Sequence, residues 1–140
     1  MMAKVRLATA EDVGEVLALW AAAGGPTRTV PTASAVNQLL ETDPHALVLA
    51  EDDGRVIGTM IAGWDGWRCH LYRLAVDPGY RRKGVATLLV EAAVAHAREL
   101  GASRVDAMVD GTNSLGQAFW NASAFALDEV EQRWSLLVGT

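Results

Sequence analysis

A short basic segment that contains one glycine is the part of the chain best suited to chemistry. It reads Arg81-Arg82-Lys83-Gly84-Val85-Ala86, and it lies between an apolar run ending at Val76 and a segment of helical periodicity ending at Leu100. This layout predicts a strand, a loop and a helix. The first amides of a helix lack intrahelical partners and carry partial positive charge, so they form an anion site. Gly84 would let a phosphate approach the backbone, because it has no side chain.

The spacing differs from a Walker loop and from a dinucleotide-binding Gly-x-Gly-x-x-Gly. It resembles the pyrophosphate loop of the GNAT superfamily of N-acetyltransferases, Gln/Arg-x-x-Gly-x-Gly/Ala, with Arg81, Gly84 and Ala86 at its fixed positions. The resemblance implies that this loop binds the pyrophosphate of acetyl-CoA. The residues so implied are Arg81, Arg82, Lys83, Gly84, Val85, Ala86 and Thr87. The alternative is a solvated basic loop that caps a helix.

Composition narrows the classes of protein. A chain of 140 residues, half of them hydrophobic, predicts a single domain over 1–140. Because Cys69 is the one cysteine, an internal disulfide and a cysteine metal cluster are excluded, and we expect no metal. Apolar runs are shorter than the ~18 residues of a membrane span, so we expect a cytoplasmic protein without membrane contact. The net charge of −5 argues against general nucleic-acid binding.

Periodicity and turn residues predict the order β-α-α-β-β-β-α-β-α-β-β. Predicted strands are 5–7, 46–50, 55–62, 69–76, 104–109, 125–129 and 134–138. The predicted helices begin near Val13, after Thr32, at Gly84 and at Ser114. Asp53-Gly54 predicts a hairpin turn, and Asp65-Gly66 a second one. Thr9 and Asp12 have the spacing of a loose capping box, and residues 26–31 form a loop expected to border the substrate.

This order is similar to that of the GNAT superfamily along nearly the whole chain. The resemblance implies an α/β (α+β) GNAT fold, in which about four helices flank a mixed, mostly antiparallel sheet of six to seven strands. It also implies that the strands 71–76 and 104–109 splay apart and that pantetheine fills the gap. Backbone groups of Leu74, Ala75 and Val76 would bind this arm of the cofactor. Side chains at these three positions are otherwise ordinary core.

Two further residues are implied as cofactor contacts by the resemblance. Asn113 corresponds to a family asparagine that meets pantetheine, although it could equally be a turn or helix-cap residue. Trp120 stands where the family usually has the tyrosine that protonates the leaving thiolate, and Ala124 stands where the family has glycine. Indole is a donor without useful acidity, so we expect Trp120 to pack against the cofactor rather than to act as an acid. A thiol pKa of about 8.5 makes thiolate a good leaving group without it.

The amine acceptor requires a base, because an alkyl amine is mostly protonated at neutral pH. Many family members have a glutamate where this chain has Tyr72, and Tyr72 is a catalytic candidate because its hydroxyl, or that of Tyr80, could substitute for the missing tyrosine. His70 lies two residues before Tyr72, hence on the same face of a strand, and is our candidate base. The alternative is a structural histidine satisfied by its neighbours. Glu51 and Asp52 are weaker candidates, and Cys69 is expected to be a small buried residue.

The segment Trp64-Asp65-Gly66-Trp67-Arg68 could line the acceptor entrance, with surface packing or a dimer contact as alternatives. The resemblance implies an acetyl-CoA-dependent N-acetyltransferase that acts on a primary amine by direct attack in a ternary complex. The second hypothesis is a non-catalytic acyl-CoA-binding or sensing module, because the usual tyrosine and glutamate are missing. A nucleic-acid-binding protein is disfavoured by the single short basic patch. The acceptor could be a small molecule or a protein amine, and the protein a monomer or homodimer.

Overall fold

Five strands form one mixed sheet in the computed structural model, which describes residues 2–23 and 29–139. The strands are β1 (Lys4–Leu7), β2 (Leu47–Asp52), β3 (Arg55–Trp64), β4 (Cys69–Val76) and β5 (Val105–Ala107). They lie in sequence order across the sheet; the first three pairings are antiparallel and the fourth, between β4 and β5, is parallel. The helices are α1 (Val13–Ala23), α2 (Ala33–Thr42), α3 (Val85–Glu99) and α4 (Ser114–Asn121). Short 3-10 turns, Ala10–Asp12 and Pro78–Tyr80, precede α1 and α3.

The chain divides into two compact units, residues 1–108 and 109–140. The first contains the sheet with α1, α2 and α3, and the second contains α4. The prediction of a mixed, mostly antiparallel sheet with four helices is confirmed for the described residues.

Local turn chemistry confirms the predicted connections. Asp53 and Gly54 have φ values of +51° and +76°, which a two-residue type I′ hairpin requires. Thr32 caps α2 by accepting the N–H of Ala35 at 3.1 Å. Gly101 follows α3 with φ +85°, as expected for the left-handed residue that ends a helix. The predicted end of α1 at residues 24–26 lies outside the described residues, as do residues 26–28 of the predicted loop 26–31.

Adjacent residues of β3 show which helix covers each face of the sheet. The hydroxyl of Thr59 accepts the indole N–H of Trp20 in α1 at 2.8 Å. A Cβ atom on Gly58, which points the opposite way, would lie 2.9 Å from Val85 Cγ1 and 3.0 Å from Leu89 Cδ1 in α3. Because successive residues of a strand point to opposite faces, α1 lies on one face and α3 on the other.

The prediction of strands at 125–129 and 134–138, which would have given six to seven, is wrong for the described residues. Neither segment is in a strand, and β5 is shorter than the predicted 104–109. Large apolar side chains in this region are exposed: Leu127, Val130, Trp134, Leu136, Leu137 and Val138. Alternation of apolar and polar residues indicates that a segment tends to be extended. A strand also needs a hydrogen-bonding neighbour and a face to bury. No strand of the described residues pairs with residues 125–138.

A charged network fixes the first turn of the chain. Arg6 of β1 donates to both carboxylate oxygens of Asp12, at 2.8 and 2.7 Å, and to Glu51 of β2 at 2.8 Å. Asp12 also accepts the backbone N–H of Thr9 at 2.8 Å, which confirms the predicted capping interaction. These hydrogen bonds lower the pKa of the Asp12 carboxyl from 3.8 to about 2, and the hydrogen bond from Arg6 makes the largest contribution to this shift.

We expect Asp12→Asn to lower the free energy of unfolding by about 2 kcal/mol at pH 7, because it removes charged hydrogen bonds from a nearly buried site. Since the folded-state pKa is depressed, the stabilisation is complete above pH 4 and is lost as pH falls towards 2. Urea denaturation from pH 7 to pH 2 should therefore show that the difference between wild type and variant shrinks below pH 4. A difference that stays constant down to pH 2 would contradict this assignment.

Candidate active site

The predicted anion loop lies at the N-terminus of α3 and is exposed from Arg81 to Gly84. Gly84 is the residue that precedes the helix and has φ +82°, and a Cβ there would have no atom within 4 Å. The first hydrogen bond of the helix runs from the N–H of Leu88 to the carbonyl of Gly84, at 3.1 Å. The amides of Val85, Ala86 and Thr87 therefore have no partner within the helix. Amides of this kind at the start of a helix are suited to binding an anion.

Residues of the β2–β3 hairpin contact the segment that leads into the anion loop. Two cations lie near the Tyr80 ring, with Arg55 Cζ 5.9 Å and Lys83 Nζ 5.4 Å from its centroid. Asp77 accepts Arg55 Nη2 at 2.7 Å and the N–H of Gly79 at 2.9 Å. The pKa of Tyr80 is raised by desolvation and by a hydrogen bond with Asp52. The weaker base candidates are thus engaged elsewhere, Asp52 here and Glu51 with Arg6.

The edge of β4 is open where the pantetheine arm is expected. β4 pairs with β5 only from Cys69 to Leu71, and the last bond on this side joins the N–H of Met108 to the carbonyl of Leu71 at 2.9 Å. From Leu74 to Val76, no strand of the described residues pairs with β4 on this side. β5 ends at Ala107, so its pairing with β4 stops after three residue pairs. The open edge lies on the strand that leads into the anion loop.

A bulge lies at the start of this open edge. Thr59 of β3 pairs with Ala75 and Ile61 pairs with Tyr72, so β4 carries one extra residue between these pairs. Arg73 lies in this bulge with φ +55°, an uncommon backbone conformation for a residue with a side chain. Its carbonyl accepts the hydroxyl of Thr59 at 3.0 Å. The bulge therefore has a specific partner in the core of the sheet.

The two catalytic candidates share the face of β4 that is covered by α1. The ring of Tyr72 lies over Gly63, whose Cβ would be 3.6 Å from Tyr72 Cε1, and Gly63 lies on the same face of β3 as Thr59. His70, two residues before Tyr72, has that orientation too, and both side chains are partly exposed. Burial raises the pKa of Tyr72, so its phenol keeps the proton at neutral pH.

His70 has a partner that the sequence did not suggest. Its Nε2 lies 3.1 Å from Asp65 Oδ2. Asp65 also accepts the N–H groups of Arg68 and Trp67 at 2.7 and 2.8 Å, and these bonds, led by that of Arg68, lower the Asp65 pKa to about 2. An ionised carboxylate only accepts hydrogen bonds, so Nε2 carries the proton and a neutral His70 has its lone pair on Nδ1. Asp65 thereby determines which ring nitrogen of His70 carries the proton.

The remaining candidates of this unit are less prominent. Cys69 is buried, 1% exposed, and burial raises the pKa of its thiol, as expected for a packing residue and not for a nucleophile. Trp67 is 66% exposed, with Arg68 Cζ 4.3 Å from its ring centroid. A role of this turn at an acceptor entrance stays a prediction.

Asn113 and Trp120 belong to the second unit. The side chain of Asn113 accepts the N–H of Gly116 at 3.0 Å and caps α4, the structural role that the sequence left open. The Trp120 ring packs against Phe119 and Phe125, with centroids 5.1 and 4.8 Å apart. Both contacts are structural, and the cofactor contacts of these two residues stay predictions.

Comparison with known sequences identifies acetyltransferases as relatives of this chain. The sequence profile of the acetyltransferase (GNAT) family matches residues 13–125. An acetyltransferase of Sodalis glossinidius is 29% identical over 110 residues, which cover 79% of this chain and 78% of the relative. The mycothiol acetyltransferase of Propionibacterium freudenreichii is 36% identical over 90 residues, 61% of this chain but 29% of the relative. The chain thus spans less than a third of that enzyme.

Solved structures show the same fold. Ard1 of Thermoplasma volcanium superposes with a TM-score of 0.81 at 19% identity, covering 91% of this chain and 85% of that one. The PaiA N-acetyltransferase of Thermoplasma acidophilum, solved in complex with coenzyme A, gives 0.79 at 16% identity and covers 94% of each chain. Among the described residues there is no helix of the length and apolar character needed to cross a membrane. The same residues contain no cluster of three or more histidine, cysteine or acidic side chains suited to a metal.

Proposed function

The chain belongs to the acetyltransferase (GNAT) family of enzymes, and from this premise we propose that it transfers an acetyl group from acetyl-CoA to a primary amine in a ternary complex. The observation that supports this most is the open edge of β4 running into the free amides at the start of α3. An extended amide-bearing arm that ends in a pyrophosphate fits these two features. We propose that this activity takes place in the cytoplasm. We also propose that residues 1–140 perform it as a single domain.

In this proposal the cofactor is held by backbone groups and the loop. The N–H groups of Val85, Ala86 and Thr87 bind the pyrophosphate, and Arg81, Arg82 and Lys83 supply the countercharge. Leu74, Ala75 and Val76 pair with the pantetheine amides. A backbone N–H at Ala75 or Val76 then polarises the thioester carbonyl, and stabilises the oxyanion that forms when the amine attacks.

The reaction forms a carbon–nitrogen bond and breaks the carbon–sulfur bond. The amine must lose a proton, which His70 accepts through the lone pair on Nδ1, directly or through water. The leaving thiolate is a weaker base than a phenolate, since the ordinary pKa values are about 8.5 and 10. Proton transfer from Tyr72 is therefore uphill. Tyr72 serves as a hydrogen-bond donor near the reacting groups, while water completes the protonation of the thiol.

The test is release of CoA thiol from acetyl-CoA in the presence of a panel of amines: amino acids, polyamines, aminoglycosides, and peptides with a free N-terminus or a lysine. We expect turnover with at least one class. The alternative function is a non-catalytic acyl-CoA-binding or sensing module, which Tyr72 and Trp120 favour because they replace the usual glutamate and tyrosine. Tight binding of acetyl-CoA by calorimetry without turnover of any amine would support the sensor and refute the enzyme.

We expect kcat/KM to show a limb that rises with pH, because a general base accepts a proton only in its unprotonated form. His70→Gln should remove this limb and lower kcat/KM at pH 7 about a hundredfold, while leaving acetyl-CoA affinity unchanged. The profile should be measured with two amines of different basicity. A limb that moves with the basicity of the amine and persists in the variant would show that bulk water deprotonates the acceptor.

A further inference from the structure

Arg73 contacts two different parts of the molecule through its main chain and its side chain. Its carbonyl accepts the hydroxyl of Thr59 on the neighbouring strand, at 3.0 Å. Its guanidinium Nη2 donates to the carbonyl of Thr29, between α1 and α2, at 2.7 Å. The same guanidinium stacks over Trp20 of α1, with Cζ 5.1 Å from the ring centroid. One residue thus joins the bulged strand to the segment that connects the first two helices.

Two hydrogen bonds of Thr59, to Trp20 and to Arg73, and the stacking of Arg73 on Trp20 form a closed circuit of contacts at this bulge. Thr59 accepts the indole N–H of Trp20 at 2.8 Å and donates to Arg73 at 3.0 Å. Thr59 is fully buried and Trp20 is 3% exposed. Removal of the hydroxyl would therefore take away the acceptor of the buried indole N–H of Trp20, which is the costly way to lose a hydrogen bond.

The bulge determines how the following residues are presented. An extra residue in one strand bends it and re-aims the residues beyond it. Leu74 to Val76 follow directly, and these are the residues proposed to pair with pantetheine. A left-handed conformation at a residue with a side chain persists only where the surroundings impose it. The circuit through Thr59 and Trp20 supplies that constraint.

The side chain of Arg73 points to the face of the sheet on which the proposed chemistry occurs. Its stacking partner Trp20 lies in α1, and Tyr72 and His70 face the same side of β4. The carbonyl of Thr29, held by the guanidinium, is therefore on the acceptor side of the strand. The described residues 29–31 form the C-terminal part of the loop 26–31, which the sequence predicted to border the substrate.

We propose that Arg73 is a positioning residue with two separable roles, and that Thr59 sets one of them. Through its backbone, fixed by Thr59, it aligns Leu74 to Val76 for acetyl-CoA. Through its guanidinium it holds the loop at Thr29 as a wall of the acceptor site. This inference rests on the proposed function, because it assigns the two roles to the cofactor and the amine respectively.

Two variants separate the roles. Arg73→Gly removes the guanidinium but leaves a residue that adopts φ +55° without strain, so the bulge is retained. We expect an acetyl-CoA Kd within about twofold of wild type and an acceptor KM raised about tenfold or more, the effect of losing one charge-assisted hydrogen bond. Thr59→Val keeps the shape but removes the hydroxyl. We expect it to raise the acetyl-CoA Kd about tenfold by the same reasoning, with Thr59→Ser as the matched control that retains wild-type affinity.

Calorimetry with acetyl-CoA measures the cofactor role, and steady-state kinetics with the best amine of the panel measures the acceptor role. If no amine turns over, hydrogen exchange of residues 29–32 replaces the kinetics, and faster exchange in Arg73→Gly is the expected result. If Thr59→Val does not fold, Trp20→Phe removes one bond of the circuit and keeps a ring beneath the guanidinium.

Three results would overturn the inference. One is an Arg73→Gly protein with unchanged acceptor KM and unchanged exchange at residues 29–32. Another is a folded Thr59→Val or Trp20→Phe protein that binds acetyl-CoA as wild type does. The third is an equal loss of every parameter together with a lower melting temperature, which indicates a structural role alone. A wild-type protein that binds no acetyl-CoA would instead refute the proposed function, so the two failures are distinguishable.

Discussion

Gly84→Asp should abolish measurable binding of acetyl-CoA at concentrations that saturate the wild-type protein. The substitution places a negative charge at the N-terminus of α3, where the free amides of Val85 to Thr87 are proposed to meet the pyrophosphate. A unit charge about 5 Å from a phosphate charge costs on the order of 3 kcal/mol at an effective dielectric constant near 20, a loss of about a hundredfold or more in affinity. Isothermal titration calorimetry measures this loss directly.

Gly84→Asn is the matched control for this experiment. Asparagine has nearly the size of aspartate, and these two residues tolerate the left-handed conformation of Gly84, φ +82°, better than other side chains. No atom lies within 4 Å of the added Cβ, so both variants should fold. We expect Gly84→Asn to bind acetyl-CoA clearly more tightly than Gly84→Asp. Equal affinities for the two variants, or an unchanged affinity in Gly84→Asp, would place the pyrophosphate elsewhere.

Gly58→Ala should destabilise the protein, although it adds a single methyl group. The new Cβ would lie 2.9 Å from Val85 Cγ1 and 3.0 Å from Leu89 Cδ1, both in fully buried side chains. Val85 is β-branched and stiff, so α3 must move away from β3 to accommodate the methyl. Overpacking of this kind costs about 1–3 kcal/mol, and we expect a decrease of about 2 kcal/mol in the free energy of unfolding, measured by urea denaturation.

The same substitution at Gly14 should have the opposite sign. Gly14 lies inside α1, and a Cβ there would meet no atom within 4 Å. Replacing glycine by alanine in a helix stabilises it by about 0.5–1 kcal/mol. Comparison of Gly58→Ala with Gly14→Ala therefore separates the effect of packing on the free energy of unfolding from the effect of backbone entropy. If Gly58→Ala matches Gly14→Ala in unfolding free energy, the contact between β3 and α3 is looser than these distances indicate.

Features encoded by adjacent residues were predictable from the sequence. Asp53-Gly54 specifies its hairpin through backbone conformations that few other pairs adopt. The loop at Gly84 could be identified because a glycine, three cations and the start of a helical pattern are contiguous. Alternation alone placed His70 and Tyr72 on one face, since the strand is regular between them.

Features that depend on distant partners were not predictable. The bulge at Arg73 is held by Thr59, which is 14 residues away, and Thr59 is bonded in turn to Trp20, 39 residues from it. Nothing in the local pattern of β4 distinguishes an arginine in a bulge from one in a regular strand. The bond from Asp65 to His70 spans a turn whose geometry fixes it. Residues 125–138 show the opposite case, because alternation favours an extended chain but no strand of the described residues pairs with them.

If acetyl-CoA occupies the open edge of β4, as proposed, the stability of the folded state depends on the supply of that ligand. The parallel ladder with β5 stops after Leu71, so on that side no strand of the described residues pairs with the backbone between Leu74 and Val76. A ligand that occupies this edge binds the native protein and not the unfolded chain, so it contributes RT ln(1 + [L]/Kd) to stability, about 2.7 kcal/mol at a hundredfold excess over Kd. Occupied molecules would also present less unpaired edge to one another. Acyl-CoA supply would then set the lifetime and solubility of this protein, as well as its rate of turnover.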